Sequence, residues 1–173
     1  MSSEAPLYER DPEAWRAHLA EGNRTQARKR VGADVLFRDE DGRILLVDPR
    51  YKPDWDLPGG MAEANESPLD AASREIQEEL GIAYTGGRLL VVDWVSPHGP
   101  WDDSLMFVFD GGVMNEGEQS GITLPDGELT SFRFCAPSET SRMLRPYVWL
   151  RVEEALTALR NGTTSYLHDG RQP

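Results

Sequence analysis

The sequence predicts an α/β domain in which helices pack on a mixed sheet. Three observations lead there: short aliphatic and aromatic runs bounded by turn residues, a sharply delimited helix starting near Ser67, and an amphipathic helix near the end. At 173 residues, with 39% hydrophobic and 28% charged side chains, the chain has the length and composition of one ordinary domain. No internal repeat, low-complexity tract or interdomain linker interrupts it.

Asp11 before Pro12 reads as the cap and first turn of a helix, and Trp15, His18 and Leu19 recur at three and four residues. Residues 1–30 therefore read as a helical extension, with Gly22-Asn23 expected to break the helix. "VGADVLFRDEDGRILLVDPR" reads as two strands around Asp41-Gly42, a dipeptide that accepts the positive backbone angles of a tight hairpin. "PDWDLPGG" then delivers the chain to a helix over 67–80, where Ser67 caps, Pro68 suits the first turn, Asp70 reaches back and Gly81 stops. "YTGGRLLVVDWVS", "DSLMFVFDGG" and "LTSFRFCAP" read as strands, and "VMNEGEQSGITLPDGE" as a long loop. A last helix over 146–160 presents Val148, Val152, Ala155, Leu156 and Leu159 on one face. The main domain is expected over 31–162, followed by a loosely ordered tail over 163–173.

A formal net charge of −12 and a pI near 4.6 argue against nonspecific binding to nucleic acid or an anionic membrane, both of which reward clustered cations. The one basic run, Arg28-Lys29-Arg30, is short and reads as a solvated helix end. Cys135 is the single cysteine, so no internal disulfide forms; in a strand, with no His near it in sequence, it reads as a buried structural thiol. "MSSEAPLYERDPEAW" has no apolar segment of the signal-peptide kind, and "ILLV" and "LLVV" are too short to span a bilayer. A cytoplasmic location is the expectation.

The 67–80 helix poses a problem of charge. Leu69, Ala72, Ile76 and Leu80 form its apolar stripe, and Glu75, Glu78 and Glu79 crowd an adjoining arc of roughly 100°. Like charges at this spacing repel by about 0.2–0.5 kcal/mol per pair. Either the arc is a solvated acidic face relieved by Arg74, or the carboxylates hold a hard divalent cation such as Mg²⁺, which takes oxygen ligands. The preceding Gly59-Gly60 favours the second reading, because glycine brings main chain close to a ligand.

From Gly60 the residues run through Glu66 to Arg74-Glu75-Ile76-Gln77-Glu78-Glu79-Leu80-Gly81-Ile82, and this stretch resembles a complete Nudix box. The resemblance implies an α/β/α sandwich and a hydrolase that cleaves the phosphoanhydride of a nucleoside diphosphate linked to another group, using Mg²⁺ with Mn²⁺ as a substitute. It implies that Glu75, Glu78 and Glu79 ligate metal or include the base, that the Gly60 carbonyl completes the ligand set, and that Arg74 orients a glutamate. Glu66 would hold the loop to the helix or touch a second metal, and Gly59 would approach the substrate. The base is otherwise sought outside the box, at Glu128 first and then Glu116 or Glu118.

Substrate choice is less marked. Pro97, fifteen residues past Ile82, resembles the ADP-ribose pyrophosphatase pattern. Trp94, His98, Trp101 and Asp102 share its segment, and Trp101 could stack on a base or simply pack. No coenzyme A hydrolase motif and no zinc-binding cysteine set occurs. ADP-ribose or a nucleotide sugar leads, ahead of a house-cleaning role on nucleoside triphosphates; a noncatalytic nucleotide-sensing module is the reading from another class. A homodimer is an open expectation.

Overall fold

The computed structural model describes residues 5–125 and 127–173. Residues 1–4 of the expected extension and Asp126 of the expected long loop lie outside them. The order is α1 (Leu7–Arg10), α2 (Pro12–Thr25), β1 (Arg30–Asp39), β2 (Ile44–Pro49), β3 (Gly59–Met61), α3 (Pro68–Leu80), β4 (Leu89–Val95), β5 (Ser104–Met114), α4 (Glu116–Ser120), β6 (Leu129–Cys135), α5 (Pro137–Met143), α6 (Pro146–Asn161) and β7 (Ser165–His168).

The seven strands form one mixed sheet in the order β6-β2-β1-β5-β4-β7, with β3 paired to the first half of β1. β1 runs parallel to β5 and β4 parallel to β7; the other pairs are antiparallel. Alternation along β1 sends Ala33, Val35 and Phe37 to the face covered by Ala71, Ala72, Ile76 and Leu80 of α3. Leu36 points the other way, to Val148, Val152, Ala155 and Ala158 of α6. Helices thus cover both faces, giving the expected α/β/α layers.

Local signals act where they were expected. Asp11 accepts from the Ala14 N–H at 2.9 Å, Ser67 Oγ from the Asp70 N–H at 3.1 Å, and Gly42 turns the β1–β2 hairpin with φ 75°. Gly81 ends α3 in the left-handed region, and Gly162 ends α6 in the same way. Cys135 is fully buried beside Met143, and burial pushes its thiol pKa up.

Four expectations are corrected. Gly22-Asn23 does not break α2, which continues to Thr25 with Glu21 and Arg24 paired across one turn. Arg28-Lys29-Arg30 follows the helix instead of ending it: Lys29 pairs with Asp103, and the Arg30 guanidinium lies 4.4 Å from the Trp101 ring centre. The expected long loop contains α4, capped by Asn115, and α5 follows β6 directly.

The tail is the largest correction. Residues 165–168 form an edge strand whose Leu167 is fully buried, while Asp169 accepts from Ser96 N and Oγ and the Gly170 N–H donates to Asp93. Long-range pairing orders this segment, and no local pattern announces it. Helices α1 and α2 bury none of their residues, and no helix of the described residues is long and apolar enough to cross a membrane.

Candidate active site

α3 lies against β3, so the turn that enters the helix and the carboxylates on it meet. Arg74 is their hub. Its Nε and Nη2 donate to the two Glu66 oxygens at 2.9 and 3.0 Å, its Nη1 donates to Glu75 at 2.9 Å and Glu78 at 3.0 Å, and Nη2 also reaches the Met61 carbonyl at 3.1 Å. One guanidinium therefore relieves three carboxylates and ties the loop to the helix. The Arg74 hydrogen bonds, with the Glu63 amide, hold Glu66 below the usual carboxylate range. Burial pushes Glu75 upward against the opposing pull of Arg74.

Glu79 is buried, and its Oε2 accepts from the Gly59 N–H at 2.9 Å. A Cβ on Gly60 would sit 2.5–2.7 Å from the Glu75 carboxyl, so only glycine leaves that carboxylate its place. Glu75, Glu79, Gly59, Gly60 and Glu128 line one recess of about 520 Å³, together with Arg50 and the exposed Tyr51. Glu78, half exposed and paired with Arg74, is not part of its lining.

Among the described residues no group of three or more His, Cys, Asp or Glu side chains is drawn together as a metal-binding cluster, and Arg74 pairs with both Glu75 and Glu78. The donor set nevertheless fits a hard divalent cation: carboxylates one helical turn apart, a third across the recess at Glu128, and a glycine cradle that a side chain would fill.

The other expected residues divide. Glu128, just before β6, reaches the recess, whereas Glu118 closes the α4 cap by accepting from the Asn115 N–H and, like Glu116, sits on α4. Trp101 lines a second pocket with Arg30 stacked on it. Trp94 is a packing residue: its Nε1 donates to Asp103 at 2.7 Å and its ring abuts His168. Pro97 and Asp102 are exposed on the loop between β4 and β5, and His98 of that loop lines the second pocket.

That pocket, about 210 Å³, was not legible in the sequence. It lies beyond β3, with Met61 common to both recesses, and gathers Arg30, Asp34, Lys52, Asp56, Arg145 and Arg151. Asp34 forms part of its wall, with a pKa pushed up to about 7 by burial and by Asp56, against Arg151 and Lys52. These residues come from three separate segments, so no spacing rule could have joined them; the only signal was the charge of Asp34 inside the apolar run of β1.

Comparison with known proteins gives the family and the fold. A "MutT-like protein" from Streptomyces ambofaciens is 28% identical over 139 residues, 80% of this chain and 82% of that one. "Diphosphoinositol polyphosphate phosphohydrolase 2" from Rattus norvegicus is 42% identical over 64 residues, and the match spans 36% of either chain. Among solved structures, a UDP-X diphosphatase superposes with TM-score 0.66 at 20% identity, covering 96% of this chain and 77% of that one. An ADP-ribose pyrophosphatase from Streptococcus suis 89-1591 gives TM-score 0.58 at 18% identity, covering 82% and 99%. The NUDIX domain family model matches residues 28–161, and the chain belongs to the Nudix hydrolase family.

Proposed function

We propose that this Nudix hydrolase is a Mg²⁺-dependent pyrophosphohydrolase that cleaves the phosphoanhydride of a nucleoside diphosphate linked to another group, with ADP-ribose or a nucleotide sugar favoured. The observation that carries the reading is the single recess where Glu75, Glu79 and Glu128 meet the Gly59-Gly60 backbone. Mg²⁺ or Mn²⁺ bound there supplies charge neutralisation and an acidified water. An anionic pyrophosphate approaching a chain of charge −12 depends on such local neutralisation.

The chain's own residues position the reaction. Glu75, Glu78, Glu79 and the Gly60 carbonyl would hold the metal, and Arg74 orients Glu75 and Glu78. Glu66 fastens the loop to the helix through Arg74. Glu128, facing the recess, takes the proton from the water that attacks phosphorus as the anhydride P–O bond breaks. The second pocket receives the rest of the substrate, with Trp101 at its rim. Neighbours named ADP-ribose pyrophosphatase and UDP-X diphosphatase favour this substrate class. A relative from Bacillus subtilis (strain 168) named "Putative 8-oxo-dGTP diphosphatase", 50% identical over 50 residues, favours the second reading, a nucleoside triphosphate pyrophosphatase.

The test is phosphate release, coupled to alkaline phosphatase, from ADP-ribose, nucleotide sugars, dinucleoside polyphosphates and nucleoside triphosphates, with Mg²⁺, Mn²⁺ or chelator. Metal-dependent turnover of a diphosphate-linked compound is expected. Turnover of triphosphates alone selects the second reading, and nucleotide binding without any turnover points to a sensing module.

A further inference from the structure

We propose that Asp34 is a substrate-recognition residue whose carboxylate accepts adjacent hydrogen-bond donors on the part of the substrate lying beyond the glutamates. The inference rests on the proposed function for the kind of ligand, and on the pocket itself for the residue. Asp34 is 6% exposed, yet it lines the second pocket. Its one ion pair among the described residues, to Arg151, spans 3.7 Å, beyond hydrogen-bonding distance. Enclosed yet open to the pocket, the carboxylate keeps acceptor positions that no hydrogen bond among the described residues fills and that a ligand with donors can take.

The neighbouring groups do not supply what Asp34 lacks. Lys52 is held by Asp56, and Arg145 by Asp54 and the Tyr147 hydroxyl. Arg151 gives its Nε to Asp93 at 2.9 Å, and Asp93 is itself fixed by the Gly170 N–H. The C-terminal segment thereby anchors Arg151 at a distance where it balances the charge of Asp34 without occupying its lone pairs. Across the pocket mouth, Trp101 offers an exposed aromatic surface beside Arg30. A flat or ring-shaped group against Trp101 that presents neighbouring donors inward meets both walls. The N–H edge of a guanine-type base and the adjacent hydroxyls of a sugar share that chemistry.

The experiment measures dissociation constants by calorimetry at a pH well above 7, where the Asp34 carboxyl is ionised, for GDP, IDP, ADP-ribose and ADP, with Ca²⁺ in place of Mg²⁺, on the full chain and its Asp34→Asn variant. IDP lacks the second N–H of the guanine edge, and ADP lacks the terminal sugar. The full chain is expected to prefer GDP over IDP, or ADP-ribose over ADP, by about tenfold or more, as hydrogen bonds to a charged acceptor allow. In Asp34→Asn that preference should fall to about twofold or less while the donor-poor member binds as before. A GDP preference identifies a base edge in the pocket, and an ADP-ribose preference a sugar. No preference in the full chain, a preference that survives in Asp34→Asn, or an equal loss for all four ligands overturns the inference. Asp34→Ser, which keeps an acceptor oxygen without charge, gives the same reading should the Asn variant not fold. An Asp34-dependent preference without turnover in the hydrolysis panel removes only the catalytic reading; turnover without that preference removes only this one.

Discussion

On the α3 side of β3, the carboxylate cluster is drawn almost wholly from 21 consecutive residues, 59–79, whereas the pocket on the other side takes Arg30, Asp34, Lys52, Trp101, Arg145 and Arg151 from segments more than a hundred residues apart. The first is organised by helical pitch and one arginine; the second exists only once β1, β4, β5 and α6 are assembled. Their burial differs in the same direction. Glu78 stands half exposed, while Asp34 and Arg151 are enclosed. A local, partly solvated cluster tolerates charge substitution with the fold intact, and its losses should appear in turnover. A non-local, enclosed pocket should register its losses in affinity, and in folding where a buried pair such as Asp93–Arg151 is broken.

The sharpest attempt to break this contrast is Glu78→Gln. We expect the turnover rate at saturating Mg²⁺ to fall about 100-fold or more, as removal of one electrostatic stabiliser does, with the melting temperature nearly unchanged. Full activity of this variant would remove Glu78 from the metal ligands. Gly60→Ala probes the same cluster sterically: the new methyl displaces the flexible end of Glu75, so a drop in rate of about 10–100-fold and a higher Mg²⁺ requirement are expected, with little loss of stability. An unaffected Mg²⁺ requirement would place the Glu75 carboxyl outside the metal site.

In the second region, Trp101→Ala should raise KM about tenfold with kcat nearly constant, since stacking binds ground and transition states alike. An unchanged KM would return Trp101 to packing against Arg30. The smallest effect belongs to Asp103, held below the usual carboxylate range by hydrogen bonds from Lys29 and Trp94. A depressed carboxylate contributes stability above its unfolded pKa and loses it as pH falls through the folded value. Trp94 fluorescence should therefore change on acidification below about pH 4, the ordinary carboxylate range, and Asp103→Asn should abolish that step. Its persistence in the variant would assign the step to another carboxylate.

The same contrast explains what could be read in advance. The α3 boundaries, the Ser67 and Gly81 caps, the Asp41-Gly42 hairpin and α6 depend on residues within a few positions of one another, and each appears where its local chemistry puts it. The break expected at Gly22-Asn23 fails because one glycine in an exposed helix costs only about 1 kcal/mol, and the turns on either side still form. β7 was missed because its order comes from β4 and from Asp93 and Ser96, some seventy residues away. Trp94 and Trp101 looked equivalent in sequence. The pleat of β4 turns Trp94 toward Asp103 and His168, and the loop turns Trp101 to the pocket.

The sequence by itself determined the α/β class, the loop and helix that carry Arg74, Glu75, Glu78 and Glu79, and the Nudix resemblance that the family match bears out. Helical periodicity and capping act over a few residues, so spacing alone carries them. Only the tertiary structure decided that Glu128 lines the same recess as Glu75 and Glu79, that the C-terminal segment is a strand holding Asp93 and through it Arg151, and that Asp34 lines a pocket with Arg151 3.7 Å away. Those relations follow from strand order and the parallel pairing of β1 with β5 and β4 with β7, contacts between distant segments that no local pattern encodes.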